Sequence, residues 1–220
     1  MRSTTPGLDF ERAFRRQGLL LVAGVDEAGR GAWAGPVAAG AVILPANGDE
    51  IAERLKDVRD SKLCTPRQRE ALDGLIREAA LAVSVGMATA QEIDELRIGA
   101  ATRLAMKRAI EGLSTQPQAL LIDYVRLNEV GLPQRSFPKG ESKSLSIASA
   151  SIAAKVARDR LMVELDEQHP GYGLATHKGY GTRAHQAALK QLGPSPIHRL
   201  TFKPMQLRLM DTVDEPRARS

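Results

Sequence analysis

The order of elements along this 220-residue chain predicts a mixed α/β fold. Short apolar runs of strand length alternate with segments of helical period, and a glycine-rich connection joins the first two runs as a hairpin. A hydrophobic content of 43% suffices for one sizeable core, and no repeat or glycine/serine linker divides the chain.

Residues 19–26 (LLLVAGVD) and 36–44 (PVAAGAVIL) read as the first two strands. In TPRQREALDGLIREAA, Thr65 can cap a helix, Pro66 takes its first position, and Leu72, Leu75 and Ile76 form the apolar face. LAVSVGMA from residue 81 is a third strand. The helix QEIDELRIGAATRLAMKRAIEGL repeats apolar side chains at Ile93, Leu96, Ala100, Leu104 and Ala105, and Gly112 and Pro117 close it. ALLID at 119–123 is a strand ending on a carboxylate, suited to lie parallel to the first. SLSIASASIAAKVARDRLMVELDEQ reads as one long helix with many small side chains, stopped by Pro170 and Gly171. A short helix around 183–192 precedes a basic, proline-punctuated tail.

The single cysteine, Cys64, excludes an internal disulfide and a cysteine zinc site, which suits a reducing compartment. The first apolar run stops at Asp26, too soon for a signal peptide or a membrane span, so a cytoplasmic protein with no membrane association is expected. The net charge of +5 is unevenly spread: between Glu167 and Asp211 there is no acid, but Lys178, Arg183, Lys190, Arg199, Lys203, Arg208 and every histidine. A polyanionic partner such as nucleic acid would explain this bias, and a solvated basic face is the alternative.

The stretch LVAGVDEAGRG at 21–31 sets Asp26 and Glu27 side by side before a glycine-arginine-glycine turn. Neighbouring side chains on a regular strand point to opposite faces, so both reach one site only if the strand ends or bulges, and Ala28-Gly29 offers that break. Asp123 ends another strand, where ligand sites of α/β sheets lie, although an aspartate there also starts ordinary turns. Ile152, Val156, Asp159 and Val163 follow a helical stripe, which places Asp159 on an apolar face with Lys155 or Arg158 as salt-bridge partners. The small residues between Ala148 and Ala154 let that helix approach the sheet closely.

Two unit charges at 4 Å and an effective dielectric of 20 repel by about 4 kcal/mol, so a cluster of four acids asks for a cation. Oxygen ligands without a cysteine motif favour Mg²⁺ or Mn²⁺ over zinc. Two such ions about 3.5–4 Å apart serve in-line displacement at phosphorus. Acids for metal beside a basic surface for phosphate is the combination a nuclease needs.

GVDEAGRG (24–31), DSKLCTPRQRE (60–70), EIDELRIGAATRLAM (92–106), LLID (120–123), KGESKSLSIASASIAAKVARDRLM (139–162), YGLATHKGYGT (172–182) and GPSPIHRLTF (193–202) together resemble bacterial type 2 ribonuclease H (ribonuclease HII). The resemblance runs in order over roughly residues 18–204. It implies a ribonuclease H-like fold with a five-stranded mixed sheet flanked by helices and a small helical C-terminal extension. A catalytic domain over 18–170 and a basic extension over 171–210 are expected, with 1–17 and 211–220 flexible. The implied activity is cleavage of RNA in RNA/DNA hybrids and 5′ of single ribonucleotides in duplex DNA, giving 3′-hydroxyl and 5′-phosphate ends and starting ribonucleotide removal.

By motif, Asp26, Glu27, Asp123 and Asp159 would be the catalytic, metal-binding carboxylates, with two Mg²⁺ or Mn²⁺ ions in the catalytic complex. Gly29, Arg30 and Gly31 would read the ribose 2′-hydroxyl, which separates RNA from DNA. Tyr180 resembles a tyrosine that stacks on the sugar beside the ribonucleotide, the alternative being a core plug. Lys62 resembles a phosphate-contacting lysine, and Lys139, Lys143, Lys178 and Arg199 are further nucleic-acid candidates. Three departures stand out: Tyr124 where glycine usually follows the strand aspartate, KGE in place of KGD at Glu141, and Gly181 where KGYPT is usual. Gly181 is expected to leave the turn that carries Tyr180 less rigid. A monomer is expected, with no clamp-binding motif in the tail, and the short leader leaves no room for the N-terminal domain of type 3 enzymes. The rival readings are a DNA nuclease or resolvase on the same fold, and an RNA-binding protein without catalysis.

Overall fold

The first apolar runs pair antiparallel, β1 (Val22–Ala28) with β2 (Val37–Ile43), and β3 (Ala82–Ala88) continues the meander. β4 (Ala119–Asp123) lies parallel to β1 on its other side, and β5 (Gln134–Phe137) pairs parallel to β4. The resulting order is β3-β2-β1-β4-β5 in a computed structural model that describes residues 5–206. Four of these strands are the expected apolar runs. β5, QRSF, has no such run and follows only from the family resemblance.

The helices that flank the sheet include α1 (Asp9–Arg15), α2 (Gly48–Arg54), α3 (Pro66–Ala79), α4 (Ala90–Glu111), α5 (Leu145–Gln168), α6 (Leu174–His177) and α7 (Arg183–Leu192). Strand alternation splits the core into two layers. Ala23, Val25, Leu120 and Ile122 face α4, while Val42 and Leu44 face α3 and α5. The first half of α5 is buried nearly all round, so it is a central helix and not an amphipathic one. Its small residues act as expected: a Cβ at Gly24 or Gly40 would overlap the backbone of Ser146 or Ala150, so β1, β2 and α5 touch main chain to main chain.

Capping follows the sequence. Thr65 with Gln68, and Thr89 with Glu92, form reciprocal capping boxes, and Ser144 caps α5. Among the expected apolar positions of α3 and α4, Ala100 and Leu104 are half-buried and two are exposed. Leu75 is 39% exposed at the margin of the α3 face. Leu96 is 44% exposed because Arg97 (φ 67°) interrupts α4 and resets its register, after which Ala101, Ala105 and Ala109 face the sheet.

Part of the leader expected to be flexible is a docked helix. The Glu11 carboxylate of α1 accepts the Ser144 hydroxyl (2.6 Å), the Ser146 hydroxyl (2.6 Å) and the Ser146 amide (3.0 Å) at the start of α5. An acid at a helix N-terminus satisfies free amides and meets the positive end of the dipole. Phe10 adds a ring contact to Phe137 at 4.5 Å. At the other end, Tyr172, Leu174, Leu189 and Met205 pack on Ala34 and Met162, so the basic segment from 171 onward rests on α5 and the turn after β1. The segment 211–220 lies outside the described residues. No described helix is long and apolar enough to cross a membrane.

Candidate active site

Asp26 sits in β1 opposite Gly40, and Glu27 opposite Ala39, without a bulge. The break expected between the two acids is absent, since β1 stays paired with β2 through Ala28. What ends is the other partner: parallel pairing of β1 with β4 stops at Val25 and Ile122, just before Asp26 and Asp123. Beyond that point the two strand ends open a gap that carboxylates from both can enter. Asp26, Glu27 and Asp123 each offer an oxygen, and these lie within 4.8 Å of one another.

Electrostatics mark this trio as incomplete. Burial, then Glu27 and Asp123, push the Asp26 carboxyl well above its ordinary pKa, although the Ser151 hydroxyl and the Glu27 amide oppose the shift. Burial also raises Glu27, against the pull of Arg30 and with the push of Asp123. Glu27 Oε2 is buried without a hydrogen-bond partner. Asp123 is aimed by the Gly140 amide, which donates to Oδ1 at 2.7 Å. An oxygen-only set that repels itself and carries an orphaned buried oxygen fits a hard divalent cation.

Glu27 and Asp123 open into a cleft of about 810 Å³ lined also by Arg30, Lys62, Lys139 and Glu141, with Asp26 buried behind them. Burial works against the charge of Lys62, yet Asp60, Glu141, Asp26 and Asp123 together hold its pKa above the ordinary value. Glu141 is raised by burial and then by Asp123 and Asp60, and its Oε2 is also buried and unpartnered. The departure from KGD thus keeps an acid, one methylene longer, and its carboxylate feels Asp123.

Asp159 is not in the trio. It accepts from Lys155 Nζ at 2.7 Å, as its helical spacing allowed, and from Arg69 at 3.5 Å, which no local spacing predicts. It lines a second cleft of about 460 Å³ with Lys178 and Tyr180. The expected apolar stripe is also incomplete, because Val163 is 40% exposed and Asp159 keeps some access to solvent. Tyr180 is not a core plug: its ring is 36% exposed and lies over Lys155 Nζ (5.6 Å) and the Arg158 guanidinium (5.5 Å).

Two other expected nucleic-acid contacts are tied to main-chain carbonyls. Lys143 donates to the Pro138 carbonyl at 2.9 Å, and Lys178 to that of Ala175. Arg199 departs furthest from expectation, being fully buried and so without surface to offer a phosphate. It donates to the carbonyls of Gly35 (3.0 Å), Arg30 (2.9 Å), Gly29 (2.8 Å) and Pro36 (3.0 Å). Arg158, also fully buried, donates to those of Pro36 (2.8 Å), Lys178 (3.0 Å) and Ala34 (3.1 Å). Burial, then Arg158, lowers the Arg199 pKa to about 9, so it keeps its proton at neutral pH.

Arg199 thus bonds to the glycine-arginine-glycine turn, and the Arg158 side chain packs beneath it. Gly29 takes φ +84°, and a Cβ there would overlap the Arg158 side chain. Gly31 has nothing within 4 Å of its Cβ direction, so the protein leaves its outer side free. Arg30 forms an ion pair with Glu27 at 3.6 Å and stays partly exposed.

The loop carrying Tyr180 packs on Trp33, which gives Gly181 a steric reason. A Cβ at Gly181 would overlap the Trp33 ring, and the Trp33 amide donates to Gly179 O at 2.8 Å. Beneath it, His177 stacks on His185 (4.4 Å), and His185 Nε2 meets His198 Nε2 at 3.1 Å. Burial lowers both His185 and His198 to about 4, and His185 adds to the shift of His198. Folded values below the unfolded value of about 6.5 mean that the unfolded chain binds more protons between pH 6.5 and 4. Their contribution to stability is therefore complete above pH 6.5 and is lost as pH falls toward 4. Imidazole proton shifts followed by NMR are expected to show these two histidines titrating near pH 4; midpoints near 6.5 would contradict the buried cluster.

Residues 23–205 match the family model described as Ribonuclease HII. The chain is 52% identical over 195 residues to the ribonuclease HII of Thermus thermophilus, covering 89% of this chain and 92% of that protein. It is 53% identical over 194 residues to that of Geobacter metallireducens, covering 88% and 89%. Among solved structures, the ribonuclease H2 of Pyrococcus horikoshii aligns with a TM-score of 0.73 at 28% identity, over 88% of this chain and 99% of that one.

Proposed function

Because the chain belongs to the ribonuclease HII family, a family of nucleases whose ribonuclease H-like sheet it shares, we propose that it cuts RNA in RNA/DNA hybrids and the bond 5′ of a single ribonucleotide in duplex DNA. The products would be a 3′-hydroxyl and a 5′-phosphate, and the role removal of ribonucleotides from DNA by a cytoplasmic monomer. The observation that carries this reading is the self-repelling trio of Asp26, Glu27 and Asp123, of which Glu27 and Asp123 line one cleft with Arg30, Lys62 and Lys139.

Asp26, Glu27 and Asp123 would hold divalent metal, two Mg²⁺ or Mn²⁺ ions in the catalytic complex, and Asp159 is the fourth acid by motif. When bound, such ions polarise the phosphate and lower the pKa of water. The protein's own groups do the sorting. The backbone at Gly29–Gly31, bonded by Arg199, packed on the Arg158 side chain and open above Gly31, would meet a 2′-hydroxyl. Lys62 and Lys139 meet phosphates along the cleft, and Tyr180 packs against a sugar at the second one.

The test is a labelled duplex with one ribonucleotide, beside an all-DNA duplex, with Mg²⁺ or Mn²⁺. A site built around a hydroxyl can reject the analogue lacking it by about 10⁴- to 10⁵-fold. A nick 5′ of the ribonucleotide and none in the control is expected. Equal cutting of both duplexes would move the assignment to a DNA nuclease.

A further inference from the structure

We propose that Tyr124 is a stacking platform for a nucleotide beside the scissile bond, an inference that rests on the nuclease reading of the same cleft. Tyr124 directly follows Asp123 and lines the cleft with Glu27, Arg30, Lys62 and Lys139. Its backbone is left-handed at φ 59°, a conformation that a bulky residue adopts only under constraint. The constraint is visible on both sides. The Val125 amide donates to the Asp123 carbonyl at 2.6 Å across a three-residue turn centred on Tyr124, and the Tyr124 amide donates to Phe137 O at 3.2 Å.

The fold itself gains nothing from the aromatic ring. Tyr124 is 67% exposed, and among the described residues its ring and hydroxyl have no partner. By contrast, the Tyr172 hydroxyl donates to Gly193 O at 2.8 Å and the Tyr180 ring covers two cations. Glycine or asparagine would hold the same turn with less strain. A strained position that carries an unused aromatic at the lip of a reactive cleft points to a ligand for the ring.

The occupant follows from the surroundings. Lys139 and Arg126 are exposed nearby in sequence or cleft, and Lys62 stands across the same cleft. A strand whose phosphates run past such cations presents sugar and base faces to the ring, and an aromatic ring accepts any of them.

The experiment measures binding of a fluorescent duplex with one ribonucleotide, in EDTA, by anisotropy across a salt series. Wild type, Tyr124→Phe, Tyr124→Asn and Tyr124→Gly are compared after melts confirm that each is folded. Stacking predicts wild-type affinity for Tyr124→Phe and about 5- to 100-fold weaker binding for the asparagine and glycine variants. The salt slope should be unchanged, because no phosphate contact is lost. Equal affinity of all four proteins, or equal loss in Tyr124→Phe, overturns the proposal. Abasic sites placed singly along the duplex then separate a base from a sugar: only a base contact loses its dependence on Tyr124 at one position. Cleavage is read in parallel with metal, so that binding without cleavage overturns the activity while the affinities still decide the role of Tyr124.

Discussion

Asp123→Asn is expected to lower metal-dependent cleavage on the order of 10³-fold or more and to leave the metal-free protein at least as stable as the wild type. The two halves of this expectation have one cause. Asparagine keeps the shape of aspartate, and its amide oxygen can still accept from Gly140. What it removes is a negative charge that now pushes the pKa of Asp26, Glu27 and Glu141 upward. Without metal that charge is a burden, so its loss relieves repulsion. With metal it is a ligand, so its loss weakens the site. A wild-type protein at 100 times its metal Kd gains about 2.7 kcal/mol, or roughly 5–10 °C in Tm for a chain of this size. The variant should show little of that rise. A full metal-induced rise in Asp123→Asn, or unaltered cleavage, would remove Asp123 from the metal site.

The parts of this site that were legible in the sequence are those set by local pattern. Asp123 ends β4 and Asp26 follows the last β1 residue paired with β4, where the apolar runs stop, and Lys155 meets Asp159 because four residues make one helical turn. Partners set by the assembled fold were not legible. Arg69 reaches Asp159 from a helix 90 positions away in sequence. Glu11 finds Ser144 and Ser146 across the whole catalytic core, so α1 looked like a loose leader. The kink falls on Arg97 itself, whereas the nearby Gly99 keeps its place in the helix and does not mark it. Charge counting misled at Arg199, since a basic segment suggests a surface, whereas this cation is dissolved in main-chain carbonyls. Trp33 likewise explains Gly181 only in three dimensions, through a ring that occupies the place of a side chain.

Arg199→Met is expected to cost about 3–5 kcal/mol of folding stability, in spite of removing a buried charge. Replacing a buried ion pair by apolar side chains is often neutral, because both polar partners can be removed together. Here the partners are the carbonyls of Gly29, Arg30, Gly35 and Pro36, which no side-chain substitution removes. Relief from Arg158 offsets part of the cost, and Pro36 keeps a bond from Arg158. The Gly29 carbonyl keeps the Ala32 amide at 3.2 Å, but those of Arg30 and Gly35 lose their arginine bonds, and each buried unpaired group costs about 1–3 kcal/mol. Lysine should fail to rescue the turn, since a single ammonium cannot reproduce a planar fork that reaches four acceptors. Urea unfolding of both variants measures the loss. Cleavage of the ribonucleotide duplex against the all-DNA duplex, at a temperature where the variants are folded, then reads the function of the turn. If the two guanidinium groups fix the backbone that meets the 2′-hydroxyl, discrimination between the duplexes falls along with stability. A variant as stable and as selective as the wild type would mean that the turn holds its shape without them.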